Sequence, residues 1–238
     1  MSVPESLNEL GAKPESRRGV SVKATVARTR WQRRKRTATR GMIHEAALRL
    51  FERDGYDAVT TRRVAEEAGV SAITLFRYFP TKEDLVLGVP ADDEPLDRLR
   101  RMMGDRAGKE PFEFVRDVVP QVIGSLEPSQ LDGLAARLRI VRANETLTAA
   151  LYARIPKWTS TLVELWNETD PARAAGGRVS TDGAGHGFPI RLAISCIIGC
   201  AVETMLAWSR RCDEEDADPL DVLADLVAEA MDAMGLNR

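Results

Sequence analysis

The chain has 238 residues and a formal net charge of −2, with 44% hydrophobic residues, 29% charged residues and three cysteines. This composition excludes an intrinsically disordered chain and a small disulfide-stapled one, and it suits one or two ordinary domains with a sizeable core. The charge is segregated along the sequence, because residues 1–40 carry +8 and the remainder must carry −10. Such segregation predicts that one end of the chain meets a polyanion.

Targeting and metal-binding signals are not apparent in the sequence. Met1 to Gly11 contains no apolar run that could form a signal-peptide core, which predicts a cytoplasmic protein. The most apolar stretch, Leu192 to Val202, is too short to span a bilayer. The cysteines are interpreted as buried small residues, and the two histidines have no clustered ligand partners. We therefore expect no membrane association, no metal and no cofactor.

Residues 1–38 are predicted to form a flexible basic arm, since they are polar and contain several Pro and Gly residues. Residues 28–36 hold six basic side chains and no acidic one, so the arm is expected to reach a DNA groove with Arg33, Arg34 and Arg36. A first helix is predicted over about 39–53, because apolar residues recur there with helical spacing before Asp54-Gly55 ends the pattern.

The stretch from Thr60 to Phe79 predicts two short helices joined by a tight turn. Thr60 is placed to cap the first helix and Ser71 the second, while Gly69 supplies the left-handed residue between them. This spacing is that of a helix-turn-helix. An ordinary helical hairpin would also accept the glycine, but the polar face of the second helix favours DNA binding. That face comprises Ser71, Thr74, Arg77 and Tyr78.

Pro80 ends this pattern, and the next four residues, TKED, have the capping-box signature of another helix. A cap alone explains Thr81 and Asp84 but not Lys82, whose charge would lie at the positive end of the helix dipole. A bound phosphate would resolve this conflict, so Lys82 is predicted to contact the DNA backbone. The same helix is expected to continue through residues 85–87 into the rest of the chain as a covalent rod that couples the two domains.

Residues from about Thr39 to Leu87, above all AALRLFERDGYDAVTTRRVAEEAGVSAITLFRYFPTKEDLV, resemble the DNA-binding domain of the tetracycline-repressor (TetR) family of transcription regulators. The resemblance implies an all-α fold, with a three-helix N-terminal domain and a C-terminal helical domain for effector binding and dimerisation. It implies that the DNA backbone is held by Thr60, Thr61, Arg62, Phe76, Tyr78 and Lys82. It places Ser71, Ala72, Ile73, Thr74 and Arg77 at or near the major groove. Phe76 departs from the family pattern, which often has a tyrosine there.

Residues 39–88 are accordingly assigned to the DNA-binding domain and residues 89–238 to the effector-binding and dimerisation domain. The second domain is predicted to be helical, with a helix over about 128–142 and a long one over about 145–168 that Pro156 bends. Residues 170–189 are rich in glycine and are predicted to be disordered.

Two helices, over about 189–211 and 218–234, carry strong apolar stripes at the end of the chain. These stripes could complete a monomeric core. Because one recognition helix reads too few base pairs, a homodimer that binds two inverted half-sites is favoured, with these helices forming a four-helix bundle.

Two other classes of function fit the residues less well. An enzyme would need a catalytic set, and the sequence shows neither a Ser/His/Asp arrangement nor a phosphate loop. A membrane-surface protein would need a sustained apolar face in the arm, which has only Val26 and Trp31 between residues 23 and 40. The sequence therefore favours a repressor that binds a palindromic operator and is released by a small apolar effector.

The effector pocket is expected to be lined by large apolar side chains after residue 100, although such side chains equally suit a plain core. The residues assigned to it are Met102, Met103, Phe112, Phe114, Tyr152, Trp158 and Trp166. Resemblance to regulators of the actinobacterial type suggests a fatty acyl-CoA or another hydrophobic metabolite as the effector.

Overall fold

A computed structural model describes residues 17–88, 93–106, 108–170, 187–214 and 217–236, and all regular structure in these ranges is helical. The predicted all-α class is confirmed. The helices are α1 (Arg17–Asp54), α2 (Thr61–Glu67), α3 (Ala72–Tyr78), α4 (Asp84–Leu87), α5 (Asp93–Gly104), α6 (Pro111–Ile123), α7 (Pro128–Arg142), α8 (Glu145–Tyr152), α9 (Ile155–Glu168), α10 (Gly187–Glu214) and α11 (Pro219–Ala233). The chain forms two compact units, Met1–Gly41 and Met42–Arg238.

The first unit is helical from Arg17 onward, so the predicted start of the first helix at Thr39 is wrong. Residues 20–40 contain neither Gly nor Pro and are rich in Arg, Lys and Ala, which are good helix formers. The prediction of a flexible arm rests on charge density and on Pro and Gly residues. Most of the Pro and Gly residues that supported it lie before position 17.

In the second unit, the end of α1 packs with α2, α3 and α4 around a small core. The side chains at its centre are fully buried and aliphatic, and they come one or two from each helix. They are Ile43, Leu50, Val64, Leu75, Leu85 and Val86. The packing of these side chains fixes the angle between α2 and α3.

One predicted helix is in fact two. Over residues 145–168 the structure has α8 and α9, separated at Ala153 and Arg154. Proline inside a helix lacks the N–H and clashes with the carbonyl four residues earlier, here that of Tyr152. Pro156 is instead accommodated in the first turn of α9, where proline is tolerated. Helix α7 has the bounds predicted for it.

Helix α10 lies at the centre of the C-terminal part and packs against α6, α7, α9 and α11. Its length and apolar composition alone would also suit a membrane-crossing helix. It buries side chains such as Ile194, Leu206 and Trp208 within this chain. The predicted burial of the cysteines is wrong for Cys196, which is exposed on α10. The predicted loop over 170–189 lies largely outside the described residues.

Candidate DNA-reading surface and effector cavity

The helix-turn-helix is set by three local features of the sequence. The Thr60 hydroxyl accepts a hydrogen bond from the Arg63 backbone N–H at 3.2 Å and thereby caps α2. The Ser71 hydroxyl accepts from the Thr74 N–H at 3.1 Å and caps α3. Between them Gly69 has a φ of 63°, a conformation that a side chain would strain. The predicted caps and turn are confirmed.

Helix α3 has one face in the core and the other in solvent. Leu75 is fully buried, whereas Ile73 is 82% exposed and Phe76 46% exposed. Ser71, Ala72 and Arg77 are also exposed, and Thr74 and Tyr78 are half-buried. Ile73 has the largest exposed fraction among the large hydrophobic side chains that the structure describes. Ile73 and Phe76 thus place exposed apolar surface on a face that is otherwise largely polar.

Polar groups surround this exposed face. The Ser71 and Thr74 hydroxyls are 2.9 Å apart, and the Arg77 guanidinium lies 5.5 Å from the centre of the Tyr78 ring. On α2, the exposed Arg62 pairs with Glu66 at 2.9 Å. Thr60 is exposed and Thr61 half-buried. The residues predicted to meet DNA within the domain thus lie on consecutive elements, α2, α3 and the loop after them.

The predicted basic residues of the first unit lie on α1. Arg34 and Arg36 are exposed on this helix, and the Arg33 side chain lies outside the described residues. A helix carrying several arginines presents them at a fixed spacing, whereas the sequence predicts a flexible arm.

Lys82 is held in place by Tyr56. Its Nζ donates to the Tyr56 carbonyl at 2.6 Å and lies 4.1 Å from the centre of the Tyr56 ring. Burial lowers the pKa of Lys82, and the same partial burial, with Glu83 and Asp57 close by, raises the pKa of the Tyr56 hydroxyl. The ammonium is therefore held beside Tyr56 and the end of α1, where it also lies 5.9 Å from the centre of the Phe51 ring.

The predicted capping box at the start of α4 is present. The Thr81 hydroxyl accepts from the Asp84 N–H at 3.2 Å, and the Asp84 carboxylate accepts from the Thr81 N–H at 3.1 Å. Helix α4 then ends at Leu87, because Gly88 is extended. The expected continuous rod into the C-terminal part is therefore wrong: α5 is a separate helix that begins only at Asp93.

Two side chains that flank α8 join the helix-turn-helix part to the rest of the second unit. Arg154 donates to the Asp84 carboxylate at 2.7 Å and to the Leu87 carbonyl at 2.9 Å. Partial burial would raise the pKa of Asp84, but hydrogen bonds from Thr81 and Arg154 outweigh it, and the net shift is downward. The Asn144 amide donates to Asp57 at 3.0 Å. We call the contacts of Arg154 with Asp84 and Leu87 the Arg154 clamp.

The aromatic and methionine residues predicted to line an effector pocket differ in how far they are buried. Met103, Phe114 and Trp166 belong to the core, where the rings of Phe114 and Trp166 meet edge to face at 5.6 Å. Met102, Phe112 and Trp158 are half-buried. Tyr152 is 38% exposed, and its hydroxyl donates to Glu203 at 2.6 Å.

A cavity of about 300 Å³ opens elsewhere, between α6, α7, α10 and α11. It is lined by Val115, Val119, Val122, Ile123, Leu126, Leu134, Ile197, Cys200, Ala201, Thr204, Met205, Leu223, Val227, Ala230, Met231 and Met234. None of the seven residues predicted for the pocket is among them. The sequence signal for this cavity is the apolar stripes of α10 and α11, which periodicity alone assigns to packing between helices.

Comparisons with known proteins match the helix-turn-helix region. Residues 43–89 match the sequence model of the bacterial regulatory proteins, tetR family. The chain is 33% identical over 100 residues to the HTH-type transcriptional repressor KstR of Rhodococcus jostii, covering 42% of this chain and 43% of that protein. It is 30% identical over 129 residues to the HTH-type transcriptional regulator TcmR of Streptomyces glaucescens, covering 52% and 56%. The chain therefore spans about half the length of these relatives.

Solved structures of low sequence identity also align. Thermus thermophilus FadR in complex with lauroyl-CoA is 21% identical, with a TM-score of 0.42 over 81% of this chain and 93% of that one. NalD of Pseudomonas aeruginosa, the secondary repressor of the MexAB-OprM efflux pump, is 19% identical, with a TM-score of 0.44 over 82% and 94%.

Proposed function

Because the chain belongs to the TetR family through its N-terminal domain, we propose that it is a cytoplasmic transcriptional repressor that binds operator DNA as a homodimer and is released by a hydrophobic effector. The observation that carries the proposal is the outward face of α3, which is polar at both ends and apolar at Ile73. An enzymatic role has no comparable support, because the relatives that it matches are regulators.

On DNA, α3 is proposed to enter the major groove. Ser71, Thr74 and Arg77 would offer hydrogen bonds to base edges, and Ile73 would meet the methyl group of a thymine, the apolar feature of that groove. Thr60, Thr61, Arg62 and Tyr78 would hold phosphates, with Phe76 adding an apolar contact to the backbone. Lys82 has three N–H groups, and Tyr56 uses one, so the others can bind a phosphate.

The dimer is proposed to form through the exposed side of α10. Phe188, Leu192 and Cys196 recur every four residues along it and are exposed. A two-fold axis through this surface would present two copies of α3 to inverted half-sites.

This function is tested by selecting binding sites from a random pool of DNA duplexes. The full-length protein is expected to enrich an inverted repeat and to bind it as a dimer, as measured by light scattering of the complex. Enrichment of a single half-site by a monomer would contradict the homodimer. A failure to enrich any sequence would contradict operator binding itself.

Two exposed arginines of α1 give a second expected result. Arg34→Ala with Arg36→Ala is expected to lower affinity for operator and unrelated DNA alike and to reduce the slope of log affinity against log salt by about two. The matched control is Arg98→Ala with Arg101→Ala, which removes the same charge from exposed positions on α5. Equal slopes for both double variants would show that α1 contributes only through net charge.

A further inference from the structure

The cavity between α6, α7, α10 and α11 has an unusually uniform chemistry. None of the residues that line it is charged. The Thr204 hydroxyl already donates to the Cys200 carbonyl at 2.8 Å, so it is not a free donor for a ligand. The remaining lining is aliphatic, thioether or thiol, which offers almost nothing to hydrogen-bond an ionised group.

Its volume limits the size of an occupant. An apolar cavity of about 150 Å³ stays dry and holds one benzene molecule. By proportion, about 300 Å³ holds roughly a dozen non-hydrogen atoms. Met205, Met231 and Met234 are unbranched and flexible, so they can adapt to ligands of somewhat different shape.

The opening of the cavity lies beside the surface proposed for dimerisation. On α10 the exposed residues Phe188, Leu192 and Cys196 follow one stripe that continues to the lining residue Cys200, whereas Ile197, Ala201 and Met205 lie on the neighbouring face. Ala201 is exposed, and Val122 on α6 is 36% exposed, so these two residues mark the mouth of the cavity. A second copy on the stripe would leave this mouth open to a small molecule.

We propose that this cavity is the effector site and that it takes a neutral, hydrocarbon-rich molecule of about a dozen non-hydrogen atoms, with no anionic head group inside. The proposal specifies the class of effector for the proposed repressor. It rests on that proposed function only in the effect that a bound effector has on DNA binding. An acyl-CoA could place at most its acyl chain here, since the cavity offers no partner for phosphates.

Direct binding tests the site without DNA. Equilibrium dialysis of the full-length protein with decanol is expected to show saturable binding, and decanoate at neutral pH is expected to bind at least about tenfold more weakly because its charge must be desolvated. Decanoyl-CoA is the third probe and is expected to bind no more tightly than decanol.

Blocking the mouth provides the matched variants. Ala201→Phe places a ring at the opening and is expected to weaken decanol binding at least about tenfold. Ala149→Phe makes the same change at an exposed position on α8 outside the cavity and is expected to bind decanol as the wild type does. Both positions are exposed, so both variants should fold, as circular dichroism can check.

The outcomes separate cleanly. Equal or tighter binding of decanoate, or tighter binding of decanoyl-CoA than of decanol, would overturn the neutral-ligand class. Unchanged decanol binding by Ala201→Phe would overturn the location. A change of oligomeric state in Ala201→Phe with no decanol binding by the wild type would assign the cavity to protein packing instead. Because none of these measurements uses DNA, their failure is distinct from a failure to bind an operator.

Discussion

Leu75→Ala is expected to destabilise the protein by about 2–5 kcal/mol, whereas Ile73→Ala should change the free energy of unfolding by less than about 0.5 kcal/mol. Both residues lie on α3, but Leu75 is fully buried in the core of the DNA-binding part and Ile73 is 82% exposed. Removing Leu75 leaves a cavity between α2 and α3 that the surrounding helices cannot fill. Urea unfolding monitored by circular dichroism measures both values.

The same pair should behave in the opposite way at DNA. Ile73→Ala is expected to lower operator affinity by a few-fold, in line with about 0.8 kcal/mol per methylene-sized apolar group removed from water. Replacing each thymine of a selected operator by deoxyuridine removes only the methyl group. Wild-type protein should lose affinity at one position in each half-site, and Ile73→Ala should lose none there.

A uniform response to deoxyuridine in both proteins would mean that Ile73 does not read a thymine. Loss of stability in Ile73→Ala would mean that its side chain packs against protein and that its exposure has been misinterpreted. Ala72, which is also exposed on α3 but has a much smaller side chain, offers the comparison variant Ala72→Gly.

The elements that the sequence predicted well are those decided by local chemistry. Thr60, Gly69 and Ser71 act within three or four residues of their own positions, and their hydrogen bonds and backbone angles are as predicted. Pro156 also acts locally, but its effect is stronger than predicted: the sequence predicts one bent helix, and the structure has two helices, α8 and α9.

The features that the sequence predicted poorly depend on contacts between distant parts of the chain. Phe114 and Trp166 have the composition of pocket residues, yet they are buried against each other from helices about 50 residues apart in sequence. Whether an aromatic side chain fills a core or lines a cavity is decided by its distant neighbours, which periodicity does not reveal. The aliphatic residues of α10 and α11 are predicted to pack between helices, but several of them line the cavity. Their spacing cannot distinguish the two cases, because a stripe that lines a cavity has the same period as one that fills a core.

The break after Leu87 changes how the two functional parts of the second unit can communicate. With α4 ending at Leu87, the connection between them includes the Arg154 clamp and the contact between Asn144 and Asp57. The Arg154 side chain is only 22% exposed. If Arg154 moved away, the Asp84 carboxylate and the Leu87 carbonyl would both lose a charged hydrogen-bond donor. Helix α7, which lines the cavity with Leu134, leads directly to Asn144 and α8. We therefore expect occupancy of the cavity to act on the position of α4 through the clamp.

Arg154→Met is accordingly expected to uncouple the effector from DNA. In the wild type, decanol should weaken operator binding by the roughly 5–150-fold that is typical of allosteric coupling, and in Arg154→Met this factor should fall close to one while decanol binding by dialysis is retained. The variant should also cost about 1–3 kcal/mol in stability, because the part-buried Asp84 and the Leu87 carbonyl lose their donor. Arg211→Met, which breaks the exposed pair with Glu229 between α10 and α11, is the matched control and should keep the full coupling. Unchanged coupling in Arg154→Met would place the communication in other contacts, whereas loss of coupling in both variants would trace it to general loosening of the fold.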